Sequence, residues 1–232
     1  MGALPNVVVI GAMKCATSAV HAYLDAHPDV AMAQAKELNF FSGLELHRGL
    51  RWYAGHFDAT SPARGESSPG YTSPSHPGTA TRMASVLPEA RLVYIVRDPF
   101  ERALSQYAHH RRDGEERRPV DEALLDETSQ YVARSRYADR LQPYLRAFPC
   151  AQVHVVLQER LARQPDRVLS ALDRHVGVCP DRRAPGRREQ RNVGDGRPES
   201  ASSLRDRFLD RVRDDVNRLR ELLDDDLGEW AV

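Results

Sequence analysis

The sequence predicts an α/β fold with a central parallel sheet flanked by helices. Two observations carry that reading. Apolar, β-branched runs of strand length recur along the chain, and a helical pattern follows each one at crossover spacing. The runs are Val7-Val8-Val9-Ile10, Arg91-Leu92-Val93-Tyr94-Ile95-Val96 and Val153-His154-Val155-Val156-Leu157. Continuous apolar character, rather than alternation, is what a strand covered on both faces requires.

Each element has a local reason. After the first run, Gly11 to Thr17 form a small-residue loop, and Thr17 or Ser18 can cap a helix over Ser18 to Ala26. Val20, Tyr23 and Leu24 share one face of that helix, and His27-Pro28 ends it. The second run ends in Arg97-Asp98-Pro99, with proline suited to the first turn of the next helix. The third run leads into a helical pattern from Arg160 to His175. Leu204, Phe208, Val212, Val216, Leu219 and Leu223 fit an amphipathic helix over Ser202 to Leu227 that closes the domain. Ser42 to Tyr71, His109 to Pro119 and Pro180 to Pro198 read as loops. No repeat or linker divides the chain, so residues 1–232 are expected to form a single domain.

Composition narrows the function classes. The chain carries 33 basic and 33 acidic residues, which disfavours a nucleic-acid partner. No apolar run approaches the ~20 residues of a membrane span, and no basic segment opens a signal peptide. Cys15, Cys150 and Cys179 have no metal-like spacing and fit reduced thiols in a cytoplasm. No metal is expected. Only two cations are lysines, Lys14 and Lys36, and both fall in the N-terminal segment. Drift from Lys to Arg in a GC-biased genome explains the scarcity and makes the two survivors worth attention.

A strand, a small-residue loop with Lys14, Thr17-Ser18 and then a helix form a phosphate cradle, in which backbone N–H groups and a mobile ammonium favour an anion. An ordinary strand-to-helix turn is the competing reading of this loop. It is not a Walker A loop, whose lysine directly precedes the hydroxyl residue; here Lys14 comes three residues before Thr17. Lys14 and Arg97 both lie just past a strand's carboxyl end, where parallel sheets hold their ligands.

Lys14-Cys15-Ala16-Thr17-Ser18 resembles the 5′-phosphosulfate loop of sulfotransferases that use 3′-phosphoadenosine 5′-phosphosulfate (PAPS). Ala22 to Val30, Lys36-Glu37-Leu38-Asn39-Phe40-Phe41, Gly65-Glu66-Ser67-Ser68-Pro69-Gly70-Tyr71 and Arg97-Asp98-Pro99-Phe100-Glu101-Arg102-Ala103-Leu104-Ser105-Gln106-Tyr107 are similar to further elements of that family, in the same order. Tyr137 to Val178 is a weaker match. Many glycan-type members have Lys where this chain has Ser67, and the chain is short for the family, which implies trimmed acceptor loops.

The resemblance implies a P-loop-like three-layer fold and PAPS as cofactor, released as 3′-phosphoadenosine 5′-phosphate (3′,5′-ADP). It makes Glu37 the general base and Lys14 the group that stabilises the leaving phosphate. Cys15, Ala16, Thr17 and Ser18 would hold the 5′ end with Lys14, and Arg97 and Ser105 the 3′-phosphate. Arg188, Arg191 and Asn192, with neighbouring Arg187, sit where the family's late loop clamps the nucleotide. His76 is the alternative base, suited to a phenol acceptor. Lys36 either keeps Glu37 ionised or is a solvated flank. The implied acceptor is a hydroxyl of a small or medium natural product of the glycopeptide-antibiotic type, against which Trp52-Tyr53-x-x-x-Phe57 would pack. A glycan or lipid-linked sugar is the alternative acceptor, and a homodimer is compatible with the sequence. A P-loop nucleotide kinase and a catalytically silent nucleotide-binding module are the rival functions.

Overall fold

The computed structural model describes residues 3–182 and 201–230. Five parallel strands form one sheet: β1 (Val7–Gly11), β2 (Val30–Met32), β3 (Ala63–Ser67), β4 (Arg91–Val96) and β5 (Val153–Leu157). Their order is β2-β3-β1-β4-β5. β1 pairs with β3 in the register Val7↔Gly65 to Val9↔Ser67, and with β4 in the register Val7↔Arg91 to Val9↔Val93. The three predicted strands are therefore β1, β4 and β5, and the first two are central.

Two strands lie where the sequence suggested none. β3 and a short helix, α2 (Gly49–Ala54), fall inside the expected Ser42–Tyr71 loop. β3 reads Ala-Arg-Gly-Glu-Ser and lacks the β-branched signature; its buried Glu66 finds its partners inside the fold. Gly65 is needed there because a Cβ would sit 2.8 Å from the Val7 carbonyl oxygen and 3.0 Å from Met32 Sδ. β2 is only three residues long, too short for periodicity to reveal.

The helices follow the predicted order with shifted bounds. α1 (Thr17–Asp25) follows β1, α3 (Thr79–Val86) precedes β4, and α4 (Pro99–Asp113) follows it. α4 occupies the first part of the expected 109–119 loop; the Asp98 side chain caps it by accepting from the Glu101 N–H. α5 (Val120–Leu125), α6 (Gln130–Ser135) and α7 (Tyr137–Ala147) then lead to β5. Proline divides the expected Arg160–His175 helix into α8 (Gln158–Arg163) and α9 (Pro165–Val176). The expected terminal helix is two helices, α10 (Ala201–Asp210) and α11 (Arg213–Leu223), which bury Phe208, Val212, Val216 and Leu219 as the pattern required. No helix among the described residues is long and apolar enough to cross a membrane.

The chain leaves β1 towards β2 and β3 on one side of the sheet and leaves β4 towards β5 on the other. The carboxyl ends of β1 and β4 thus open a crevice where the strand order reverses, which is the ligand-binding position of open parallel sheets.

Candidate active site

The loops after β1 and β4 are tied together at this crevice. The Ala12 N–H donates to the Ile95 carbonyl at 2.7 Å. Tyr137 Oη donates to the Arg97 carbonyl at 2.8 Å and lies 3.7 Å from Cys15 Sγ. The Cys15 side chain is fully buried, and burial pushes its thiol up to about 11, so it packs as a neutral group. Its N–H is already bonded to the Ala12 carbonyl at 3.2 Å. Cys15 therefore shapes the loop from within.

α1 begins at Thr17 after Ala16 in the left-handed conformation, with no side-chain cap and no acidic residue in its first turn. Its first N–H groups face the crevice end of the helix without an acidic residue in the first turn, which suits an anion. Thr17 is buried and Ser18 exposed; Ser18 Oγ accepts from Lys36 Nζ. Lys36, itself exposed, thus reaches the start of α1. At the other loop, half-buried Arg97 pairs with Glu101 at 3.3 Å, and half-buried Ser105 follows two turns along α4. Arg102, from the same sequence element, has a different part. It is fully buried and donates to Ser135 Oγ, Gln106 Oε1 and the Tyr131 carbonyl at 2.9, 2.7 and 2.6 Å, pinning α6 to α4.

The third loop carries Glu37, exposed, with its N–H donating to the Ser67 carbonyl at 3.0 Å. Asn39 N–H donates to Ser68 Oγ at 3.1 Å, and Asn39 Nδ2 to the Glu37 carbonyl at 2.9 Å. Ser68 in turn donates to Glu66 Oε2 at 2.6 Å, while Tyr53 and Tyr71 both donate to Glu66 Oε1 at 2.6 Å. Glu66 is fully buried; burial raises its pKa and the three hydroxyls oppose that rise. The Glu-Ser-Ser element therefore builds the ledge from which Glu37 hangs. This corrects the expectation for the aromatic segment: Tyr53 and Phe57 are buried core, and Tyr53 serves Glu66. Trp52 is half-buried beneath the Arg48 guanidinium at 4.0 Å.

Burial and Arg112 lower the Lys14 pKa, whereas Asp113 and Glu37 raise it. Of the six non-glycine residues with positive φ among the described residues, four are Lys14, Ala16, Glu37 and Asn39. Each such residue costs about 1–2 kcal/mol, and strain of this kind concentrates where geometry serves chemistry. Half-buried His76 follows β3; burial, Arg134 and Arg82 lower its pKa. Ser67 is buried with its Oγ unpartnered. Arg187, Arg188, Arg191 and Asn192 lie outside the described residues. Among the described residues no group of His, Cys, Asp and Glu could hold a metal.

Sequence reasoning missed Arg102, Arg134 and the Glu66 hub. The Glu of the Gly-Glu-Ser-Ser-Pro stretch was visible as a motif, but its burial was not.

Comparison with known proteins agrees with this architecture. A family model described as a sulfotransferase domain matches residues 4–184. The crystal structure of a sulfotransferase from Alicyclobacillus acidocaldarius superposes with a TM-score of 0.83 at 32% identity, covering 99% of this chain and 100% of that one. The membrane-associated sulfotransferase kil1 of Dictyostelium discoideum is 39% identical over 109 residues, 45% of this chain and 22% of that protein. The bifunctional heparan sulfate N-deacetylase/N-sulfotransferase of Drosophila melanogaster is 29% identical over 209 residues, 76% of this chain and 20% of that protein. The matched region is thus about a fifth of the length of these two relatives. With its family match spanning most of its length, the chain belongs to the sulfotransferase domain family.

Proposed function

We propose that this chain is a single-domain, cytoplasmic, PAPS-dependent sulfotransferase acting on a hydroxyl of a small or medium natural product of the glycopeptide-antibiotic type. The observation that carries this reading is the crevice itself. An uncapped helix start with Lys14 stands at the end of β1, Arg97 and Ser105 stand at the end of β4, and Glu37 lies on a third loop, with its charge raising the Lys14 pKa. Two separated anion positions at one strand-order reversal suit a nucleotide with phosphates at both its 3′ and 5′ ends.

PAPS, when bound, supplies an activated sulfuryl group and departs as 3′,5′-ADP. The residues do the rest. Thr17, Ser18 and the first N–H groups of α1 hold the 5′ end, and Arg97 with Ser105 holds the 3′-phosphate. Glu37 accepts the proton of the acceptor hydroxyl at a carboxylate oxygen as its oxygen bonds to sulfur. The Lys14 ammonium offsets the negative charge that grows on the departing phosphate oxygen. Lys36 keeps Ser18 in place, and His76 is the second candidate for the proton.

A glycan acceptor is the second reading, supported by the likeness to the Drosophila heparan sulfate relative over 76% of this chain. A nucleotide kinase is disfavoured because Lys14 precedes Thr17 by three residues. Thermal shift separates these classes: 3′,5′-ADP should stabilise the protein and magnesium–ATP should not. The reverse pattern would support the kinase. Labelled PAPS with a panel of phenolic natural products and desulfated glycans then identifies the acceptor class, and transfer to none of them would leave a silent nucleotide-binding module.

A further inference from the structure

Regular structure stops at Val96, the end of β4, and resumes at Pro99, the start of α4. Neither element fixes the peptide that joins Arg97 to Asp98, yet that peptide is held at both of its polar atoms. Its carbonyl oxygen accepts from Tyr137 Oη at 2.8 Å, and its N–H donates to Glu159 Oε1 at 2.9 Å. A peptide unit is planar, so holding its two polar atoms sets the plane and with it the direction in which Arg97 leaves the backbone. The Asp98 side chain is tied separately, accepting from the Glu101 N–H at 3.0 Å and from Arg205 Nη1 at 3.1 Å. Those ties fix the start of α4; the preceding peptide falls to Glu159 and Tyr137.

Both side chains of this clamp meet one residue, Trp230, which lies beyond α11. Its indole Nε1–H donates to Glu159 Oε2 at 3.0 Å, and its ring packs on Tyr137 with centroids 5.8 Å apart. Tyr137 is fully buried and Trp230 nearly so. Arg160, next to Glu159 on α8, brings the chain to this place. Its guanidinium pairs with Asp225 and with Glu229, the latter at 2.6 Å from Nε to Oε1. A buried tryptophan with a bonded N–H is ordinary in a core. Here its two partners converge again on a single peptide, and that peptide carries the side chain proposed to meet a phosphate. An arginine is long, so a small rotation at its backbone moves the guanidinium far, and a displacement of about 1 Å is costly to a charged contact.

We infer that Trp230 is a positioning residue for the nucleotide site: through Glu159 and Tyr137 it sets the peptide that aims Arg97 at the 3′-phosphate. This rests on the sulfotransferase reading, in which Arg97 binds that phosphate. It makes the segment after α11 a part of the nucleotide site that acts at one remove.

Titration calorimetry on the full chain with 3′,5′-ADP and adenosine 5′-monophosphate tests the inference, because the two probes differ only by the 3′-phosphate. The readout is the ratio of their dissociation constants. Trp230→Phe keeps an aromatic ring and removes the N–H. It should lower the 3′-phosphate's advantage about fivefold and leave adenosine 5′-monophosphate affinity within about twofold of the wild type. In an Arg97→Ala background the same substitution should change the ratio by less than about twofold, since the group it positions is gone. An unchanged ratio in Trp230→Phe, equal loss for both probes, or the same fivefold loss in the Arg97→Ala background would overturn the inference. Should Trp230→Phe fail to fold, Glu159→Gln takes its place: an amide has one acceptor oxygen and cannot serve both N–H donors. The same selective loss is expected there, and the same outcomes would overturn it. Amide hydrogen exchange at Asp98, followed by NMR without nucleotide, is the independent readout, and Trp230→Phe should speed it at least about threefold. Arg97→Ala leaving the probe ratio unchanged would instead sink the assignment of the 3′-phosphate to Arg97. Exchange at Asp98 would then still decide whether Trp230 sets the peptide, an unchanged rate overturning it.

Discussion

On the proposed nucleotide side of the crevice, Lys14 and Arg97 follow β1 and β4, where Val7, Val8, Val9, Ile10 and Leu92 to Val96 are all fully buried. On the proposed acceptor side, Glu37 hangs from the end of β3, whose buried polar groups are the Glu66 carboxylate and the Ser67 hydroxyl. The first side is positioned by apolar burial, which is non-directional and spread over many side chains. The second is positioned by directional hydrogen bonds that converge on one buried carboxylate, Glu66. Burial tolerates small losses, whereas a converging polar hub fails when its centre is changed. The two sides should therefore respond differently to substitution.

The largest effect is expected at the group that meets developing charge. Lys14→Ala should lower kcat by about 10²–10³-fold, with the melting temperature near that of the wild type, measured by labelled-sulfate transfer and calorimetry. Next comes the other phosphate position. Removing the charged contact of Arg97 by Arg97→Ala should weaken 3′,5′-ADP binding about 10–100-fold, read by titration calorimetry.

Glu66→Gln probes the polar hub. An amide cannot accept from all three hydroxyls at once, so stability should fall by about 1–3 kcal/mol in denaturant unfolding. Because Ser68 and Asn39 lose their anchor, kcat should also fall while 3′,5′-ADP affinity is kept. Equal damage to nucleotide affinity would break the distinction between the two sides. The smallest effect belongs to the apolar side: Ile10→Val should cost about 1 kcal/mol of stability and leave kcat and nucleotide affinity unchanged at a temperature where both proteins are folded.

The same contrast explains what could be read from the sequence. β1, β4 and β5 were legible because burial on both faces demands uninterrupted apolar residues, and Lys14 and Arg97 were legible because they punctuate those runs. β3 was hidden because Glu66, Ser67 and Ser68 look like loop residues until their partners are known. α2 was hidden with it, since Tyr53 reads equally as an exposed binding aromatic or as the core donor to Glu66. Arg134 could not be singled out among so many arginines, because only tertiary packing shuts in its Nε. The split of the last helix at Arg211 and Val212 was invisible because the apolar spacing continues through it.

Glu37→Gln, assayed for labelled-sulfate transfer and for 3′,5′-ADP affinity in the same preparation, tests the central claim most directly. Turnover should be lost while the nucleotide still binds as tightly as to the wild type, because in the proposed mechanism the carboxylate handles the acceptor's proton and touches neither phosphate position. Full turnover in that variant would contradict the assignment and move the proton to His76; loss of nucleotide binding would contradict the separation of the two sides.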